Sequence, residues 1–245
     1  MVRASGPGPL LAQARVEVVL TLRRGDSLLL VLGIPVLLLV FFSAVDVLPT
    51  GVDEPIDFLV PGILALAVMS TAMVSLGIAT GFERSYGVLK RLGATPLGRP
   101  RLVAAKTAAV VLIEIVQFAI LVPIGYALGW RPDGSWPLAL AGVVVGTVAF
   151  AGLGLAFAGR LRGDVNLAVA NGLYLVLLLL GGMVFPLEEL PAALAQVARL
   201  LPSAALAEVL RSALATGAAP ARAWGTLLAW AVAMPLVAGR TFRWE

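Results

Sequence analysis

"FLVPGILALAVMSTAMVSLGIATGF", residues 58–82, runs for 25 positions without one charged side chain. A helix rises about 1.5 Å per residue and needs about 20 apolar residues to cross a hydrocarbon core about 30 Å thick, so this stretch can span a membrane. It is apolar on every side, unlike the short alternating segments of a membrane barrel. Working outward, five further runs almost free of charge occupy 27–45, 107–130, 134–159, 165–187 and 223–239, with 19, 24, 26, 23 and 17 residues. The chain is 60% hydrophobic and 13% charged, with a mean hydropathy of +0.99, far from the composition of a soluble domain. The expected fold is an all-α membrane protein. It is one transmembrane domain over 1–245, with spans at about 27–47, 58–82, 105–130, 136–159, 165–186 and 221–240.

The charges order these spans. Arg3, Arg15, Arg23 and Arg24 precede the first run, which places the N-terminus in the cytoplasm, and six crossings return the C-terminus there. Cytoplasmic segments then hold fourteen basic and five acidic residues (14 − 5 = +9), and external ones four basic and eight acidic (4 − 8 = −4). The expected location is the cell (plasma or inner) membrane, multi-pass, with both termini cytoplasmic. The net charge of +4 is therefore a topology signal, and nucleic acid is not an expected partner. Cysteine and histidine are absent, which excludes thiol nucleophiles, the usual triad bases and most transition-metal sites.

Residues 9–24 carry Leu10, Leu11, Val16, Val19, Leu20 and Leu22 at roughly helical spacing among arginines, and are expected to form an interfacial helix against lipid head groups. Most connections are short turns; only 83–99 inside and 187–217 outside are long. The external one predicts two short helices: Pro191 suits the start of the first, Pro202 ends it, Ser203 is a candidate N-cap of the second, and Gly217 closes that helix. Gly77/Gly81, Gly125/Gly129 and Gly142/Gly146 each make G-x-x-x-G, which permits close helix approach.

The stretch "GFERSYGVLKRLGATPLGRPRLVAAK", 81–106, gathers six of the eighteen basic residues. Arg84 to Leu92 can form a short helix with Val88, Leu89 and Leu92 on one side and Arg84, Lys90 and Arg91 on the other. Gly93 and Pro96 stop it, and Pro100 delays the next helix. Such an amphipathic helix suits the groove of a soluble partner.

An acid after the second span, a glycine four residues on, then Leu-x-Arg-Leu-x-x-Thr-Pro and a basic residue resemble the membrane subunits of type-2 ATP-binding-cassette (ABC) exporters. The matching residues are Glu83, Gly87, Leu89, Arg91, Leu92, Thr95, Pro96 and Arg99, with Arg84 beside them. The six-span layout, the N-terminal amphipathic helix, the helical external segment and Gln117 extend the likeness over nearly the whole chain. Lys90 stands where family members more often carry Glu. The resemblance implies a cytoplasmic coupling helix for ABC ATPase subunits and a second permease subunit as partner, with export among membrane lipids; wide apolar spans with few polar residues suit an amphiphilic drug-like or lipid-linked substrate better than a sugar or an ion. It places ATP and magnesium in the partner ATPase and no cofactor in this chain. The absence of any G-x-x-x-x-G-K-[ST] loop agrees.

Within the spans, Glu114 is the deep ionisable residue, with Gln117 three positions on and on the same helical face. A charged carboxylate at mid-bilayer costs at least about 2.5 kcal/mol, so Glu114 is neutral, paired or facing water. Two roles are open: a polar translocation pathway with Ser70, Thr71, Gln117 and Asn171, or a structural hydrogen bond to a neighbouring helix through Asn166, Asn171, Ser70 or Thr71. A proton- or ion-coupled secondary transporter using Glu114 is the alternative function. The chain by itself is not expected to be an enzyme.

Overall fold

The computed structural model describes residues 25–45, 55–93 and 98–242, with backbone alone for 25–30, 92, 93 and 98–104. The expected interfacial helix at 9–24, Thr95 and Pro96 lie outside the described residues, as do the side chains of Leu92 and Arg99. All regular structure among the described residues is helical. The helices are α1 (Gly25–Ala44), α2 (Pro55–Ser85), α3 (Val88–Gly93), α4 (Gly98–Ala127), α5 (Trp136–Ala158), α6 (Gly163–Leu180), α7 (Ala192–Ala198), α8 (Pro202–Thr216) and α9 (Ala221–Thr241). A 3-10 turn, Leu187–Glu189, precedes α7.

This is an all-α membrane protein. By length and composition α2, α5, α6, α9 and the part of α4 from Ala105 to Ala127 can each cross a membrane. The bent pair α7–α8 makes a further crossing if it counts as one span, and the apolar stretch Val31–Ala44 of α1 is shorter. The second span is longer than the apolar run that announced it, because Pro55 starts the helix and it continues to Ser85. Pro100 does not delay α4, which begins at Gly98. In the first turn of a helix a missing N–H costs nothing, since that donor has no intrahelical partner.

Helix α2 is the hub. Its most apolar stretch is 89% buried inside the protein, against 22% for α6 and 17% for α9. It packs against α1, α4, α5, α6 and α8. Between helices in lipid there is little hydrophobic driving force, so close packing has to hold them together, and small residues permit it. A Cβ on Gly77 would lie 3.2 Å from Gly154 Cα, and one on Gly154 2.5 Å from the Met73 carbonyl oxygen; α2 and α5 therefore cross backbone to backbone. Gly142 and Gly146 likewise admit Val209 and Leu206 of α8.

At this crossing α2 changes its winding. Ser70–Ser75 is a π-helical segment, in which the N–H of Leu76 reaches the carbonyl of Thr71 five residues back. α5 starts at a Ser135 cap that accepts from the Leu138 N–H, with Pro137 in the first turn. α7 and α8 meet at 82°. Here the expected cap differs: α8 starts at Pro202, whose ring presets helical φ, and Ser203 sits inside the first turn with its hydroxyl buried. Gly217 closes α8 at φ +69, as its position predicts.

Candidate functional site: the end of α2 and the polar contacts of the bundle

The end of α2 is tied to three neighbours. Glu83 forms an ion pair with Lys106 of α4 at 2.6 Å, with the side chains 15% and 5% exposed. Arg84 donates from Nη2 to the Leu161 carbonyl at 2.6 Å, in the turn before α6. Ser85 Oγ accepts from the Gly163 N–H at 2.9 Å and donates to the Gly81 carbonyl at 2.9 Å. Removing one partner of an ion pair this enclosed costs about 3–5 kcal/mol, because the other charge is left behind.

Tyr86 and Gly87 then turn the chain. Gly87 takes φ +70, where a Cβ is strained, and its N–H bonds the Arg84 carbonyl. α3 follows at once. Its orientation departs from the amphipathic expectation: Leu89, 1% exposed, is buried within this chain rather than offered to a partner. The exposed side carries Tyr86, at 72%, with Val88, Lys90 and Arg91. Once α2 continues to Ser85 and Gly87 turns the chain, α3 packs back against α2 and α4, and Leu89 is the side chain it buries.

In the middle of the bundle the polar residues fall into separate pairs. Thr71, in the π segment, donates to Gln117 Oε1 at 2.9 Å, and Gln117 Nε2 donates to the Val31 carbonyl at 2.9 Å. That carbonyl is the one whose helical donor is missing, since residue 35 is proline. Gln117 thus joins α2, α4 and α1 while satisfying a backbone group that lipid cannot.

Glu114 lies one turn back, 4% exposed, and both carboxyl oxygens meet Thr147 Oγ1 of α5, at 3.0 and 2.9 Å. The same hydroxyl is 2.9 Å from the Val143 carbonyl. One hydroxyl hydrogen cannot serve three acceptors. A neutral Glu114 that donates to Thr147 Oγ1 leaves the hydroxyl hydrogen for Val143, so one carboxyl oxygen, the hydroxyl and the carbonyl are served together.

Sequence reasoning grouped Ser70, Thr71, Glu114, Gln117 and Asn171 as one pathway; the structure brings only some of them together. Thr71 and Gln117 touch. Ser70 donates to the Ala67 carbonyl of its own helix, and Asn171 is exposed and donates to the Leu167 carbonyl of its own helix. Asn166 is buried and bonds the Gly77 carbonyl at 2.9 Å, where Gly81 leaves room for its amide. Thr147 and Lys106 were missed as partners. Thr147 is one hydroxyl in an apolar run, and Lys106 reads on sequence only as another basic flank.

Arg211 was missed as well, having counted only as an external charge. It packs its guanidinium over the Phe58 ring, with Cζ 3.7 Å from the centroid. It also donates to the carbonyls of Phe58, Gly182 and Met183. Gly62 has no side chain to block this approach; a Cβ there would strike the Met183 carbonyl. Trp230 Nε1 donates to the Leu200 carbonyl at 2.9 Å, which holds the α7–α8 elbow to α9.

A family model described as ABC-2 type transporter matches residues 11–215, from before α1 into the last turn of α8. The chain belongs to the ABC-2 type transporter family. This ABC-2 chain is 25% identical over 145 residues to YvfS of Bacillus subtilis (strain 168), whose own description as a transport permease is provisional. That match covers 56% of this chain and 57% of the relative. The matched family region includes the α2 end, α3 and the polar pairs of α1, α2, α4, α5, α6 and α8 described above, and leaves out α9 with Trp230.

Proposed function

We propose that this chain is the permease subunit of an ABC exporter, moving an amphiphilic drug-like or lipid-linked molecule outward. ATP hydrolysis takes place in a separate cytoplasmic subunit, which holds the ATP and magnesium and docks on the 83–99 segment. The observation that carries this reading is mechanical. The short helix α3 hangs from a Gly87 turn, and the residues just before that turn are bonded to α4 through Glu83–Lys106 and to the α5–α6 turn through Arg84 and Ser85. A push on α3 reaches three spanning helices through short, directional contacts.

The docking surface on this account is Tyr86, Val88, Lys90 and Arg91, the side α3 turns outward. In the ATPase-driven cycle the bundle rocks between inward-open and outward-open forms, and a second permease subunit, identical or related, completes the pathway. The exposed apolar faces of α6 and α9 suit either lipid or that second subunit.

The proton-coupled alternative requires Glu114 to face a water route. Its burial against Thr147 favours a structural role instead. The test is co-expression with an ATP-binding subunit. The reading expects co-purification and stimulated ATP hydrolysis, and substitution of Glu83 or Arg91 should lower the stimulation. Full transport in the absence of any nucleotide-binding partner contradicts it.

A further inference from the structure

At the end of the bundle opposite α3, a cleft of about 400 Å³ opens between the start of α2, the turn after α6, the α7–α8 elbow and the start of α9. It is lined by three guanidinium groups, Arg199, Arg211 and Arg222, and by two carboxylates, Glu188 and Glu208, a balance of 3 − 2 = +1. Phe58 forms part of its wall. So dense a mixture of both signs at the mouth of an apolar bundle calls for a ligand of mixed charge.

Glu188 and Glu208 both act on Arg211 across the cleft, but close pairing within the protein is sparse. Arg199 meets Glu188 at 3.5 Å, a loose pair whose partners are 39% and 72% exposed. Arg211 is anchored by carbonyl groups, which use only its Nε and Nη2 and leave its charge unpaired by any carboxylate in contact. The N-terminus of α8, a helix of 15 residues with no side-chain cap, also meets the cleft at Ala204. Its first N–H groups add to the positive field of the arginines.

The charges share the cleft with the apolar side chains of Phe58, Leu187 and Ala204. A free anion has no use for such walls, whereas the glycerol and acyl chains below a headgroup do. We propose that this cleft binds the headgroup of a zwitterionic phospholipid: phosphate on Arg199, Arg211 and Arg222, amine against Glu208, and the start of the acyl chains against Leu187. The arginine fork matches phosphate oxygens two at a time, and the carboxylate selects against purely anionic ligands. This site does not depend on the proposed transport cycle.

The test uses the full chain in a neutral maltoside detergent, with thermal unfolding read against added probe. The probes are dihexanoylphosphatidylcholine below its micelle concentration, inorganic phosphate, and dihexanoylglycerol, which lacks phosphate and amine. The phosphatidylcholine should raise the melting temperature saturably and the other two should not. Arg199→Ala and Arg222→Ala, neither of which holds the fold together, should each weaken the apparent affinity about tenfold, the usual scale for losing one charge-assisted hydrogen bond. No shift with phosphatidylcholine overturns the proposal. An equal shift with inorganic phosphate replaces it with a free-anion site, and an equal shift with dihexanoylglycerol, or one that survives both substitutions, places the lipid elsewhere.

Discussion

Gln117 donates its side-chain amide to the backbone carbonyl of Val31, the oxygen that Pro35 deprives of its helical donor. The two residues are far apart in sequence, and neither explains itself alone. A proline inside an apolar helix leaves a carbonyl bare in a medium without water, and a glutamine in another apolar helix supplies what is missing.

Gln117→Leu should therefore cost about 1–3 kcal/mol in the wild-type background, the usual cost of stranding a buried carbonyl. In a Pro35→Ala background the backbone N–H returns and the cost should shrink to the loss of the Thr71 contact. Thermal unfolding of the four variants in detergent closes the cycle; equal costs in both backgrounds contradict the pairing.

The crossing of α2 and α5 makes a sharper claim about glycines. Gly154→Ala should destabilise, because its Cβ meets the Met73 carbonyl, which cannot retreat without distorting the π segment. Gly225→Ala has nothing within 4 Å and lies inside α9, so it should be neutral or stabilising by about 0.4–1 kcal/mol. Comparing the two melting temperatures separates packing from helix propensity.

For the ion pair at the base of α2, Glu83→Gln or Lys106→Met alone should destabilise by about 3–5 kcal/mol, and the double variant by much less. Coupling should respond differently. The double variant should still fail to stimulate ATP hydrolysis in the partner, because the contact that transmits the push is gone. Recovery of both stability and stimulation would make the pair purely structural.

Glu114→Gln preserves shape and keeps a donor for Thr147 Oγ1. Transport of a fluorescent amphiphile should persist in that variant and stop when ATP is depleted at a maintained proton gradient. Loss of transport on the glutamine substitution, with ATP dependence absent, favours the proton-coupled alternative.

Much of the fold was legible because lipid imposes one rule on every span: length and apolar composition. The second span follows from that rule. The turn at Gly87 does not: the pattern reads Arg84 to Leu92 as one short helix, whereas α2 runs on to Ser85, Gly87 turns at φ +70 and α3 starts only at Val88. What could not be read was pairing. Glu114 was matched to Asn166, Asn171, Ser70 or Thr71, yet its partner is Thr147, because helical periodicity fixes which face a residue occupies and says nothing about which helix it meets. The inward turn of Leu89 was hidden for a related reason: an amphipathic pattern marks a face to be covered, and the covering surface turned out to be the chain's own. Arg211 gave no signal, since its hydrogen-bond partners are backbone carbonyls, which every residue possesses, and its stacking partner Phe58 lies on another helix.

The most direct test of the lever uses the absence of cysteine from the chain. A single cysteine placed at the exposed Tyr86 should react with an impermeant maleimide in inside-out vesicles and not in intact cells. Co-expressing the ATP-binding subunit should protect it. A second cysteine at Ala218, exposed beyond the end of α8, should show the opposite sidedness and no protection. Labelling of the Tyr86 site from outside, or full reactivity with the ATP-binding subunit bound, contradicts the account.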